Sequence, residues 1–304
     1  MIFYTSEYFT VNLPNEIYDF LIFYNFNLKI SYISIIMTVL FKAKTQEAYV
    51  IKILAELLSN NIKTGCFVID ENGIYLCMMD SHKTILIDLV LKAENFSIYK
   101  FNSKKMYLGI NLVHFHRMAR SIKKKDSIEL FIEEKSQNDL GIKVIPKENN
   151  RTTISYVKIQ SIQNLDIDIP VGYGKPIIVN SSDFQKMIKE MSSIGTTMKV
   201  VSSNHKIEFS CNAGGILKRK VQFGEDDEDD DVSAYEYSQD FITEQLCRIT
   251  KLSGLGSNMQ IYTGKPLLFT SNVGNLGKIS IYIKSKEQID TENYNTIESD
   301  YDSD

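Results

Sequence analysis

The side chains that could do catalysis or hold a metal are few here and poorly spaced for either. His114 and His116 stand two apart in a helical stretch, about 200° around the axis, so they cannot grip one ion together. His82 and His205 fall in turn-like segments. The four cysteines, Cys66, Cys77, Cys211 and Cys247, form no C-x-x-C pair and no zinc-ligand spacing, which fits reduced, buried thiols in an intracellular protein. No G-x-x-x-x-G-K-[ST] loop is present, and Gly172-Tyr173-Gly174-Lys175 and Gly254-Leu255-Gly256 are isolated turn glycines. The seven successive acids at 225–231 read as a solvated loop rather than a metal site. These spacings point away from an enzyme, a cofactor or a metal.

Phosphate binding is the chemistry the residues do support. Four helix-like segments carry an apolar stripe, and the opposite face of each is basic. The first offers Lys52; the second Arg117 and Arg120, followed by Lys123, Lys124 and Lys125; the third Lys186 and Lys189; the fourth Arg248 and Lys251. Spacings of three place these cations on one solvent face of their helix. The net charge of −4 conceals this. The run at 225–231 and the last eighteen residues, 287–304, together hold fourteen acids, leaving 24 acids against 34 bases and a net charge of +10 on the body. Such a surface suits a polyanion read by its backbone, and the absence of Trp and of interleaved aromatics disfavours a single strand.

The elements that position these faces recur. Helices are predicted at 47–59, 112–122, from Ser182 (with Ser182 and Gln185 as a capping box) and at 240–253, so their starts fall about 60 to 70 residues apart. Between them lie strand-like runs at 39–43, 65–70, 73–79, 84–91, 96–101, 127–133, 140–145, 151–158, 198–202, 206–211, 215–223, 232–237, 258–263, 266–271 and 278–284. Asn111/Asn180, Phe115/Phe184, Arg117/Lys186, Met118/Met187 and Arg120/Lys189 repeat at a separation of 69. The reading is an α+β chain of four βαβββ-like units in two similar domains, at 37–158 and 171–286, joined by a connector at 159–170. Residues 1–36, rich in aromatics and without a clean period, form an extension outside this fold, and 287–304 an acidic disordered tail. No uncharged apolar run of about twenty residues exists, so a membrane span is not expected.

The segment from Gly73 through Asp80 to Leu89 resembles the first signature of the proliferating cell nuclear antigen family, the eukaryotic-type DNA sliding clamps. Tyr99-Lys100 through Leu108-Gly109-Ile110-Asn111-Leu112 to Arg117 and Arg120 resembles the second, which the family assigns to DNA contact and which adds Lys100 to the candidate cations. The likeness runs from Leu40 to Lys286. It implies a ring-shaped homotrimer whose helices line a hole around duplex DNA, bound without regard to sequence. It also implies a processivity factor that tethers DNA polymerase and other replication and repair proteins, and a clamp loader to open the ring. The partner pocket would be lined by Met79, Leu86, Ile167, Ile169, Pro170, Pro266, Tyr282 and Lys284. The site of action would be the nucleus, or a viral replication site, an origin the 40 isoleucines among 304 residues weakly favour. Departures from the family pattern are Glu244 at a usually basic position and Asn204 at that of the ubiquitin-acceptor lysine. Two other readings fit the same residues: a checkpoint-type subunit of a heterotrimer, and a monomeric polymerase-accessory scaffold that binds peptides.

Overall fold

The computed structural model describes residues 39–148, 151–203, 206–224 and 237–301. The proposed extension at 1–36, the acidic run, Asn204, His205 and all but the last residue of the strand expected at 232–237 lie outside them.

Four βαβββ units follow one another. The first is β1 (Val39–Thr45), α1 (Ala48–Asn61), β2 (Thr64–Ile69), β3 (Gly73–Met79) and β4 (Ile85–Lys92), with a short extra strand β5 (Ile98–Phe101) beside β1. The second is β6 (Met106–Asn111), α2 (Leu112–Ala119), β7 (Ser127–Glu133), β8 (Asp139–Ile145) and β9 (Thr153–Gln160). The third is β10 (Ile177–Asn180), α3 (Ser181–Met191), β11 (Thr197–Ser203), β12 (Lys206–Ala213) and β13 (Leu217–Gly224). The fourth is β14 (Tyr237–Ile242), α4 (Thr243–Arg248), a 3-10 turn (Thr250–Gly254), β15 (Asn258–Tyr262), β16 (Leu267–Val273) and β17 (Gly277–Ile283).

Local chemistry sets these boundaries. The α1 face buries Ile51, Leu54, Ala55 and Leu58 at helical spacing together with Ile53 and Leu57, while Val50 is only partly covered. Asn111 caps α2 by accepting from His114 N at 3.0 Å. Asn180 caps α3 by accepting from the amides of Ser182 and Asp183 at 3.0 and 3.2 Å. The Ser182–Gln185 capping box is therefore not formed; Gln185 Nε2 instead donates to the Thr250 carbonyl at 3.1 Å. The fourth helix is shorter than expected, because β14 runs on to Ile242 and the chain tightens into the 3-10 turn after Arg248.

Thirteen strands form one antiparallel sheet in the order β10-β15-β16-β17-β4-β3-β2-β6-β9-β8-β7-β1-β5, and four form a second, β13-β12-β11-β14. The two halves are fused in the large sheet where β17 pairs with β4, Gly277 opposite Leu91 through Ile283 opposite Ile85. Glycine is required at that crossing: a Cβ on Gly277 would collide with the Val90 carbonyl. The core between helices and sheets is continuous across both halves, centred on Phe41, Phe184, Phe209, Phe241 and Phe269.

The tail departs from the disorder its acidity implied. Residues Lys286–Tyr301 form helix α5. Ser285 and Gln288 make a reciprocal capping box, Gln288 N donating to Ser285 Oγ at 3.3 Å and Ser285 N to Gln288 Oε1 at 3.1 Å. The helix packs on β14, an edge strand of the small sheet, and so covers unpaired backbone.

Candidate nucleic-acid interface and partner pocket

The four unit helices form one layer. α1 lies along α2, α3 meets α4 and the 3-10 turn, and α1 reaches α4 and that turn across the boundary between the halves. Arg117, Arg120, Lys123, Lys124 and Lys189 are exposed on or beside this layer, and among the described residues none has an ion pair. Lys186 is exposed and lies 3.2 Å from Asp183, a surface pair of little strength. Lys100 is exposed but belongs to the short strand β5, not to a helix.

Lys125 is exposed and pairs with Glu148 at 3.1 Å, and Lys52, Lys251 and Arg248 are engaged with other parts of the chain. Lys52 Nζ donates to the carbonyls of Arg120 and Ile122 at 2.7 and 3.1 Å, binding the electronegative end of α2. Lys251 pairs with Glu56 of α1 at 2.7 Å. Arg248 pairs with Glu244 at 2.9 Å and reaches Asp80 at 3.6 Å. The Arg248 contact also lowers the pKa of Glu244, chiefly by its hydrogen bond. These bases hold helices together, a role that helix-face reasoning alone does not reveal. His116 lies among them. Burial holds its imidazole below the ordinary histidine value; Glu56 pulls upward, while Arg120, Lys251 and Lys52 push further down.

On the sheet's outer face the strands align a row of apolar side chains across the fusion of the halves. Met79 is opposite Leu86, Leu86 opposite Tyr282, Tyr282 opposite Leu268, and Leu268 opposite Tyr262. Leu86, Leu268 and Tyr282 are buried, and Cys77, Met79, Ile167, Tyr173 and Tyr262 pack against them as partly buried neighbours. Four of the expected pocket residues, Met79, Leu86, Ile167 and Tyr282, are thus together. Leu268, Cys77, Tyr173 and Tyr262 join them without having been expected. The Tyr173 ring meets that of Tyr262 edge-to-face and that of Tyr282 at a tilt, centroids 6.1 Å apart in both cases, and its hydroxyl donates to the Pro266 carbonyl at 2.8 Å. Pro266 therefore acts at least through its backbone. Pro170 is partly buried, whereas Ile169 is 41% exposed and lies outside the cluster. Lys284 is held at the edge by Glu292 of α5, 2.6 Å away.

Residues 40–169 match the model of the proliferating cell nuclear antigen N-terminal domain, and residues 170–286 match that of its C-terminal domain. The chain belongs to this family. Its fold is the family's: the crystal structure of the Entamoeba histolytica proliferating cellular nuclear antigen superposes with a TM-score of 0.71 at 18% identity, over 82% of this chain and 100% of that one. The chain is similar to uncharacterized protein 436R of Invertebrate iridescent virus 6, 26% identical over 275 residues (79% of this chain, 90% of the relative). Another similar protein is a probable DNA polymerase sliding clamp of Paramecium bursaria Chlorella virus 1, 24% identical over 253 residues (81% and 96%). The family segments end at Lys286, where α5 begins. Among the described residues no helix is long and apolar enough to cross a membrane, and no three His, Cys, Asp or Glu side chains gather as a metal site.

Proposed function

We propose that the protein is a DNA sliding clamp, a processivity factor that keeps DNA polymerase and other replication and repair enzymes on duplex DNA. The observation that carries this is the match of both halves to the two clamp domains, combined with a helix layer bearing unpaired cations. The reading divides the chain into clamp domains at 37–158 and 171–286 around a connector at 159–170. The protein itself performs no reaction. Its action is topological: a closed ring makes many weak phosphate contacts without being trapped at any site. A clamp-loading ATPase would open it, and the place of action would be the nucleus or a viral replication site.

Ring closure would use two free edges. Among the described residues, β9 from Thr153 to Lys158 pairs only with β8, and β13 pairs only with β12. Ile154 and Tyr156 on the one, and Leu217 on the other, are 50%, 55% and 52% exposed, an arrangement an unpaired edge rarely tolerates. On the β13 side Arg219 and Lys220 are already paired with Glu190 and Glu208, at 2.6 and 2.8 Å, and on β9 the one charged residue, Lys158, is paired with Asp139 at 2.9 Å, so a β9 from a second copy meets little repulsion. Repeated three times head to tail, this contact closes a homotrimer.

The apolar row under the connector would take a short segment of each client, with aliphatic and aromatic anchors on Leu86, Tyr282 and Ile167. Past Gln160, where β9 ends, the connector carries no strand or helix and could pair with the client's backbone. The direct test is primer extension by the cognate polymerase with clamp loader. Long products on a circular template, lost when free ends let the clamp slide off, support encirclement. Equal stimulation on both templates would favour the monomeric scaffold.

A further inference from the structure

Resting on the peptide-pocket reading above, we propose that this pocket selects client segments carrying lysine or arginine beside the apolar anchor, and that helix α5 supplies much of that preference. Acids approach the pocket from three elements. Asp88 sits two residues beyond Leu86 on the same face of β4, opposite Cys77 and Ser280. It is half-buried, and its charge helps to raise the pKa of both Cys77 and Tyr282, after burial as the larger cause. Burial also raises its own pKa, against the pull of Lys278. A ligand cation placed there would relieve a poorly solvated carboxylate.

On the connector, Asp166 and Asp168 are exposed on either side of Ile167. On the opposite rim, α5 neutralises two lysines that would otherwise repel a basic ligand. Glu287 lies 3.0 Å from Lys265, which precedes Pro266, and Glu292 lies 2.6 Å from Lys284, two residues past Tyr282. Asp290, between them, is exposed and has no ion pair among the described residues. Asp166 and Asp168 therefore make the connector side negative, while on the α5 side Glu287, Asp290 and Glu292 offset Lys265, Lys284 and the helix's own Lys286. Without α5 the same rim would present Lys265 and Lys284 bare. Because α5 begins where the matched family segments end, the preference belongs to this chain's own extension.

The test compares two peptides with identical apolar anchors, one flanked by Lys-Arg and one by Glu-Glu, titrated by fluorescence anisotropy. The proteins are the full chain, E287Q/D290N/E292Q and D166N/D168N. The full chain should bind the basic peptide about tenfold tighter at low salt, and the margin should shrink as salt screens the exposed charges. Either charge-neutralised variant should narrow it, the α5 triple to about threefold or less. Equal affinity of the two peptides for the full chain would overturn the charge preference while leaving the pocket reading intact. A margin unchanged by the α5 triple would overturn the role of α5. Failure of both peptides to bind the full chain would overturn the pocket reading and this inference with it.

Discussion

Arg248 on α4 reaches from one half of the chain to Asp80 in the other, its Nη1 3.6 Å from a carboxylate whose side chain is 1% exposed. Asp80 also accepts from the amides of Thr84 and Ile85 at 2.8 and 2.9 Å, which fixes the β3–β4 turn. One guanidinium thus ties a helix of the layer in one half to the turn that joins β3 and β4 in the other.

Removing it should loosen the junction. Arg248→Ala would leave Asp80 buried without its cation and should lower stability by roughly 1–3 kcal/mol, less than a fully buried pair because Arg248 is partly exposed. Lys189→Ala, at a residue with no ion pair among the described residues, should change stability by less than about 0.5 kcal/mol. Urea denaturation of both variants checks this; equal midpoints would show that the Arg248 contact is not a structural tie.

The exposed cations that tie no two elements together are the ones to reverse in a DNA test. R117E/R120E/K186E/K189E should fold normally and lose processive synthesis, and each lost phosphate contact should flatten the log–log salt dependence by roughly 0.9. Unchanged synthesis would remove the helix layer from the DNA surface. Reversing Lys52, Arg248 or Lys251 would confound binding with folding, since each holds another element.

His116 predicts a pH effect. Its pKa in the folded chain lies below the ordinary 6.5, so the unfolded chain binds more protons in that window. Stability should therefore be full above about 6.5 and fall with pH from there down to the lowered value. His116→Gln should flatten that part of the stability–pH curve. A slope unchanged in the variant would assign the pH dependence to other groups.

For the pocket, exposure decides which side chain is informative. Tyr282 is buried, and its truncation should cost roughly 3 kcal/mol or more of stability. Ile169 is exposed, so Ile169→Ala should spare the melting temperature while weakening an anchor peptide by about 1–2 kcal/mol. Calorimetric titration with parallel melts separates the two; undiminished affinity would place Ile169 outside the site.

Periodicity made the helices legible, because Ile51, Leu54 and Leu58 or Phe184, Met187 and Ile188 repeat on one face. It did not reveal β6 and β10. Both run directly into a helix through Asn111 and Asn180, with no turn residue to separate strand from cap. α5 was hidden by composition: seven acids in 287–304 outweighed the Ser285–Gln288 box that starts it. Family likeness supplied Met79, Leu86, Ile167 and Tyr282, but Leu268 and Tyr262 enter the pocket only through strand register, which no local pattern encodes. Likewise, the three engaged cations look the same in sequence as the free ones, because their partners lie in distant elements.

A ring of three identical chains closed through β9 and β13, as proposed above, fixes the mass of the particle in solution. Light scattering of the purified chain should give three times its 34.9 kDa mass. I154D/Y156D, which places carboxylates on the exposed β9 edge, should give single chains with an unchanged fold by circular dichroism. A wild-type mass of one chain at micromolar concentration, or a trimer that survives the double substitution, would contradict it.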